Sequence, residues 1–359
     1  MKIGWIAARY APEFEGGSER VVRGLARGLA ERGHDVSIVC GTDLRGGGEL
    51  VRERVDGLDV IRIPLAASEP FDLELARPRV ETLVAQCLED RDVVHLHHWS
   101  TLSQRLVRVL APQRPVLVTL HDAFATCPRF FRSSPLGLAC PPRGSFENCA
   151  RCIEPEARPL TPAELEPRLA RRAREFEAEI AAAALWIAPS RFHAERLLAL
   201  ADFEREKCRI VTPATLTLDP RVRQARRRQA RPAPGDLGAT AAKSALRLLH
   251  FGNLCAEKGT IDIVETMALL PEGFATLTLA GRALTPGFEA RVERARGKAQ
   301  VRILGPYDAR GLEREAAVAD LAVFPTRLEE SYGLVLDEAH ALGLPAWTSD
   351  RGALPERLL

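Results

Sequence analysis

Glu330-Ser331-Tyr332-Gly333-Leu334-Val335-Leu336-Asp337-Glu338-Ala339 sets two glutamates eight positions apart around a glycine turn that opens a helix. Just before it, Leu321-Ala322-Val323-Phe324-Pro325 has the composition of a buried strand. Strand, loop and helix start therefore meet at one point. Helix N-termini attract anions because their first N–H groups lack partners and the aligned peptide dipoles add partial positive charge. Carboxylates repel a phosphate but accept hydrogen bonds from hydroxyl groups. A ligand both phosphorylated and polyhydroxylated suits this mixture, and a nucleotide sugar meets that description. Two glutamates at this spacing are also what a solvated helix face carries, so the reading depends on the rest of the chain.

The chain has 359 residues, enough for two domains with separate cores, and two domains imply a cleft. Its 50 basic and 48 acidic residues leave a net charge of +2, which calls for no nucleic acid and no acidic partner. The start, Met1-Lys2-Ile3-Gly4-Trp5-Ile6-Ala7-Ala8, is too short an apolar run for a signal peptide and reads as a first strand. No stretch approaches the roughly 18 to 20 apolar residues that span a bilayer. A cytoplasmic location is the expectation, with peripheral membrane contact left open.

Strand-like runs alternate with helical patterns: Lys2 to Ala7, a helix from about Glu19 to Arg32, Val36 to Cys40, Asp92 to Leu96, Val116 to Leu120 and Leu185 to Ala188. A second series has strands at Leu246 to Phe251, Ala275 to Ala280, Val301 to Leu304 and Leu321 to Phe324, with a helix near Thr260 to Leu270. The alternation predicts two α/β domains with parallel sheets, residues 1–213 and 245–359. Between them, 214–244 is rich in Arg and Pro and reads as a linker or surface loop.

Other strand ends carry candidate chemistry. Gly16-Gly17 lies in a turn that opens a helix, although G-x-G-x-x-G is absent and a plain strand-to-helix turn remains an alternative. His121-Asp122 follows a strand, where open α/β sheets bind ligands, unless it is a structural histidine. Lys258, one of only five lysines against 45 arginines, sits in the turn Phe251-Gly252-Asn253-Leu254-Cys255-Ala256-Glu257-Lys258-Gly259 and could neutralise a leaving diphosphate, unless it is an ordinary exposed loop lysine. His95, His97 and His98 close another strand; a second metal site is one reading, with packing or acceptor contacts the expected role. In the Pro- and Gly-rich loop 123–159, Cys127, Cys140, Cys149 and Cys152 have C-x12-C-x8-C-x2-C spacing. Structural zinc is one reading; disulfides, an iron–sulfur cluster and unligated thiols are the others.

Gly16-Gly17, His121, Pro189-Ser190-Arg191, Lys258-Gly259, the Gly281 turn and the Glu330 to Glu338 loop occur in an order that resembles family 4 of the retaining glycosyltransferases, over most of the chain. The resemblance implies the GT-B fold: two Rossmann-like domains facing a cleft, the first binding the acceptor, the second the nucleotide sugar. It implies that Glu338 holds the ribose hydroxyls, Glu330 contacts the donor sugar, and backbone groups of Tyr332, Gly333 and Leu334 lie near sugar and phosphate. Lys258 would face the diphosphate, Gly17 would approach it, and His121 would touch the sugar near the reacting centre. Leu304-Gly305-Pro306 looks like the segment before the base-side helix.

The expected activity is transfer of a sugar from a nucleoside diphosphate donor to a hydroxyl of a glycan, lipid or small molecule, with retention and with no cofactor required for the chemistry. Two departures stand out. Asn253 occupies a position where the family usually has Arg, which removes one diphosphate cation, and the chain stops at Leu359 where the family normally continues, so the second domain is expected to be incomplete. Competing expectations are an impaired or truncated nucleotide-sugar-binding protein and a nucleotide-sugar epimerase of similar fold.

Overall fold

The computed structural model describes residues 1–14, 16–42, 50–64, 73, 76–134, 140, 145–155, 157, 159–213 and 245–358. The Arg/Pro-rich connector 214–244 and parts of the Cys-rich loop lie outside the described residues. The chain divides into two compact units, Met1–Ala214 and Thr215–Leu359.

In the first unit β1 (Lys2–Ala7) pairs in parallel with β2 (Asp35–Thr42) on one side and β5 (Val93–Leu96) on the other. With β3 (Val51–Val55), β4 (Leu58–Pro64), β6 (Val116–Thr119), β7 (Leu185–Ala188) and β8 (Cys208–Ile210), the sheet order is β3-β4-β2-β1-β5-β6-β7-β8. Strand order reverses direction between β1 and β5, so the loops leaving these strands diverge and open a crevice at their carboxyl ends. The apolar strands are buried on both faces by period-2 alternation: Ile6 packs with Leu96, Val118 and Phe176, while Trp5 packs with Ile38, Val60 and Val22 of helix α1 (Gly17–Glu31).

One feature departs from the expected parallel alternation. β3 and β4 form an antiparallel hairpin turned at Asp56-Gly57, both with positive φ. This Asp-Gly pair between short strands is a hairpin signal, but the charged edge strand Val51-Arg52-Glu53-Arg54-Val55 lacks the apolar composition that marks the other strands. Helix α5 (Pro162–Ala182) begins where Glu164 accepts the Thr161 N–H at 2.8 Å and closes over the core through Phe176 and Ile180.

The second unit has a five-stranded parallel sheet in the order β11-β10-β9-β12-β13. Its strands are β9 (Leu246–Phe251), β10 (Ala275–Ala280), β11 (Gln300–Gly305), β12 (Leu321–Phe324) and β13 (Ala346–Thr348). Helix α7 (Thr260–Leu269) follows β9, and α10 (Leu334–Ala341) follows β12. Leu249, Phe251, Phe324, Leu336 and Ala339 pack on one face; Leu277, Leu279, Val264 and Met267 pack on the other. The reversal falls between β9 and β12, which brings together two loops some seventy residues apart in sequence.

Candidate functional site

Those two loops carry Lys258 and Glu330. The Lys258 Nζ donates to Glu330 Oε1 at 2.6 Å, and the Thr326 hydroxyl donates to the same oxygen at 3.1 Å. Both charged side chains remain partly open, 28% and 16% exposed. Gly259 has φ +73°, and a Cβ there would lie 1.9 Å from the Pro325 carbonyl oxygen, so the turn after β9 can press against the end of β12 only with glycine. The Glu330 carbonyl accepts from the Ala353 N–H at 2.8 Å, which ties the loop to the last described turn of the chain.

Helix α10 starts at Leu334 with Gly333 as its N-cap. Glu338 lies one turn in, 4% exposed, and its carboxylate is buried beside the helix start. Tyr332 is also 4% exposed; its hydroxyl donates to Asp337 Oδ2 at 2.6 Å, and the Arg357 guanidinium lies 4.2 Å above its ring while pairing with Asp337. Burial, then the hydrogen bond to Asp337, pushes the Tyr332 phenol above its ordinary value, so it stays a neutral donor. Asn253, the uncharged departure, is exposed. Thr326 and Arg357 were not legible as site residues, because neither sits in a motif; Asp337 lies within the Glu330 to Ala339 stretch, but nothing in the sequence tied it to Tyr332.

In the first unit the crevice is built around the dipeptide His121-Asp122. Asp122 Oδ1 accepts from the Phe124 N–H at 2.8 Å, Oδ2 faces His98 Nε2 at 3.5 Å, and the Asp122 carbonyl accepts from His193 Nε2 at 3.1 Å. Burial would raise the Asp122 carboxyl, but the His98 ring, the Phe124 N–H and His121 together hold it below the usual carboxylate range. His121 Nε2 lies 2.9 Å from His97 Nδ1, and His97 stacks on Trp5 with ring centroids 4.3 Å apart. Burial lowers the His121 imidazole to about 4 and His95 to about 3, and drives His97 well below its ordinary value. His193 is placed by α6 (Arg191–Leu200), whose N-cap Ser190 accepts the His193 N–H at 3.0 Å. Five of the eight histidines thus converge on one crevice.

The Gly16 turn is less open than its composition suggested. Glu19 Oε2 accepts the Gly16 N–H at 3.1 Å and the Ser18 hydroxyl at 3.1 Å, which puts a carboxylate at this helix start; Gly17 is the first helical residue. The loop ahead of it is held by Arg62, 2% exposed, which donates to the carbonyls of Tyr10 at 3.1 Å and Ala11 at 2.6 Å and pairs with Glu13. Arg62 was missed because a strand arginine shows no motif.

The metal reading of the four cysteines finds no support. Among the described residues no group of three or more His, Cys, Asp or Glu is placed to hold an ion, and all four are free thiols. Cys149 and Cys152 lie within helix α4 (Glu147–Ile153), where Cys149 packs against the apolar cluster of Ile153, Leu165 and Leu169, and Cys140 donates its thiol to the Arg132 carbonyl at 2.9 Å. Burial, then the neighbouring Cys127, pushes the Cys149 thiol up to about 11.

No helix among the described residues is long and apolar enough to cross a membrane. The chain is similar in structure to sucrose-phosphate synthase from Thermosynechococcus elongatus, at TM-score 0.67 and 19% identity over 98% of this chain and 82% of that one. The catalytic domain of starch synthase IV from Arabidopsis thaliana, bound to ADP and acarbose, matches at TM-score 0.62 and 19% identity, covering 99% and 84%. HepE from Anabaena, in complex with UDP and glucose, matches at TM-score 0.59 and 18% identity, covering 99% and 82%. The shared architecture is GT-B. In sequence, an uncharacterized glycosyltransferase of Methanocaldococcus jannaschii is 32% identical over 107 residues, 28% of this chain; the match spans about a quarter of that relative's length, 26%. The model for "Glycosyl transferases group 1" matches residues 245–358. The model for "Glycosyltransferase Family 4" matches residues 15–215, more than half of the chain, and the chain belongs to that family.

Proposed function

We propose that this glycosyltransferase takes its sugar from a nucleoside diphosphate donor and transfers it with retention of anomeric configuration. The observation that carries the reading is the meeting of Lys258 and Glu330 at the switch point of the second sheet, beside the start of α10 with Glu338 buried one turn in. A cation beside a helix N-terminus suits a diphosphate, and the two carboxylates suit hydroxyls on either side of it. Structures of similar fold hold UDP and glucose, or ADP, which supports the same ligand class.

In this reading Lys258 leaves Glu330 for the diphosphate as donor binds, Glu330 accepts from a sugar hydroxyl, and Glu338 accepts from the ribose. The acceptor oxygen bonds to the anomeric carbon as the bond to the diphosphate oxygen breaks; the bonding pair leaves with the diphosphate, and the acceptor proton passes to its departing oxygen. Positioning and leaving-group stabilisation supply the rate. His121 and Asp122 belong to the acceptor side.

The test is thermal stabilisation by UDP, GDP, ADP and dTDP, since a ligand that binds only the native state raises the melting temperature. A shift with one nucleotide supports the donor site and names the base; no shift with any overturns the reading. The anomeric configuration of the transferred sugar, read by NMR, decides retention. Nucleotide binding without turnover would instead favour the impaired binder that Asn253 suggests, and donor turnover without an acceptor would favour the epimerase.

A further inference from the structure

Three histidines hold His121-Asp122, and the chemistry of their partners fixes their protons. A backbone N–H only donates, so His98 Nδ1, which faces the Ser100 N–H at 3.0 Å, is an acceptor and His98 carries its proton on Nε2, toward Asp122. A carbonyl only accepts, so His193 carries its proton on Nε2, toward the Asp122 carbonyl. His97 differs. Its Nδ1 meets His121 Nε2 at 2.9 Å, the ring is 1% exposed, and its Nε2 has no hydrogen-bond partner among the described residues.

One ring of the His97–His121 pair must donate. If His121 donated, the neutral His97 would carry its own proton on Nε2, leaving a buried N–H with nothing to receive it. If His97 donates from Nδ1, the orphan is only a lone pair, and buried donors without partners are the rarer of the two. We infer that His97 is a positioning residue that donates from Nδ1 to His121 Nε2, holding the single proton of His121 on Nδ1. Trp5, stacked on His97 at 13° between ring planes, and His95, whose ring centroid is 4.1 Å from that of His97 and whose Nε2 bonds Thr119 Oγ1 at 2.7 Å, keep the donor ring in plane.

The inference deepens the proposed reading, on which only its kinetic part rests. With Nε2 committed to His97, the one proton of His121 sits on Nδ1, where it can only be donated. His121 does not act as a base that takes the acceptor proton at Nε2. That proton is left to the departing diphosphate oxygen.

Long-range 1H–15N NMR of the full chain tests the proton positions without any ligand. The expected spectrum has His121 Nε2 unprotonated and Nδ1 protonated, with His97 protonated on Nδ1. In His97→Phe, which keeps a ring of similar size but no donor, His121 moves to a mixture of tautomers. His97→Asn restores the wild-type signature, because its amide nitrogen overlays ring Nδ1, whereas His97→Gln, with the amide one bond further out, does not. A wild-type His121 protonated on Nε2, or one unchanged in His97→Phe, overturns the inference. Should the Phe variant fail to fold, the Asn and Gln pair decides it: equal His121 signatures in the two count against it.

Turnover with UDP-glucose as probe is expected to fall about 10- to 100-fold in His97→Phe, with the KM for UDP-glucose little changed, and to recover in His97→Asn. Equal losses in the two variants would mean that the ring only packs, which overturns the positioning role. If wild type turns over no nucleotide sugar while the NMR signature holds, the transferase reading fails and the placement of the protons stands.

Discussion

Lys258 Nζ and Glu330 Oε1 lie 2.6 Å apart although 72 residues separate them, because β9 and β12 are neighbours in the sheet and their loops leave it on the same side. The ion pair is partly exposed and contributes little to stability; in the proposed reading it exchanges for the donor. Lys258→Ala is expected to lower the transfer rate by about 100- to 1,000-fold through lost stabilisation of the leaving diphosphate. A rate within about twofold of wild type would remove the assignment.

Glu338 is buried one turn into α10, so its partners on a ligand would be shielded from water. Glu338→Ala should weaken nucleotide binding by about 10- to 100-fold, the scale of one hydrogen bond to a charged group. Titration calorimetry with the nucleotide that stabilises wild type measures this directly, and unchanged affinity sinks the ribose role.

The turn between β9 and α7 predicts a contrast between two glycines of similar φ. Gly259→Ala drives a Cβ into the Pro325 carbonyl, while at Gly273, with φ +75°, nothing lies within 4 Å of the added atom. The first is expected to cost about 2–4 kcal/mol and to disturb the Lys258–Glu330 pair; the second should cost only the roughly 1–2 kcal/mol of the left-handed backbone. Denaturant melts of the two variants check the difference.

Glu179 of α5 has a fully buried side chain that accepts from Trp99 Nε1 at 3.2 Å, the Val107 N–H at 2.8 Å and Arg108 Nε at 2.9 Å. It thereby ties the start of α3 (Leu106–Leu110) to α5. Glu179→Ala leaves the Trp99 and Val107 N–H groups unmet and takes one of two carboxylates from the Arg108 guanidinium, which keeps Glu175, and a loss of about 2–5 kcal/mol is expected. A melting temperature near wild type would count against this account.

Several histidines are buried neutral: His95 at about 3, and His121 and His250 at about 4, each lowered mainly by burial. The unfolded chain takes up these protons near pH 6.5 and the folded chain does not, so the unfolded state binds more protons through this window. Their contribution to stability is fully present above about pH 6.5 and is lost as pH falls toward 4 and 3. Glu179, whose carboxyl burial pushes up, works in the opposite direction but is a single group. Melts from pH 7.5 to 4 should show a steady fall; a flat profile would mean that these rings are solvated.

The sequence by itself determined the strands that carry apolar runs, since Leu185 to Ala188, Leu246 to Phe251, Ala275 to Ala280 and Leu321 to Phe324 fall where those runs put them. It also marked the turns at Gly259 and Gly333, because a glycine between a strand and a helix is a local signal. The charged hairpin strand β3 was hidden, because its side chains face solvent and burial left no mark on its composition. The tertiary structure alone decided which turns meet. Sheet order set Lys258 on Glu330 and His97 on His121, and burial made Arg62 a clamp on the Tyr10 to Glu13 loop. Periodicity and composition report each residue's own exposure, whereas a site is a set of non-local contacts fixed only when the strands take their order in the sheet.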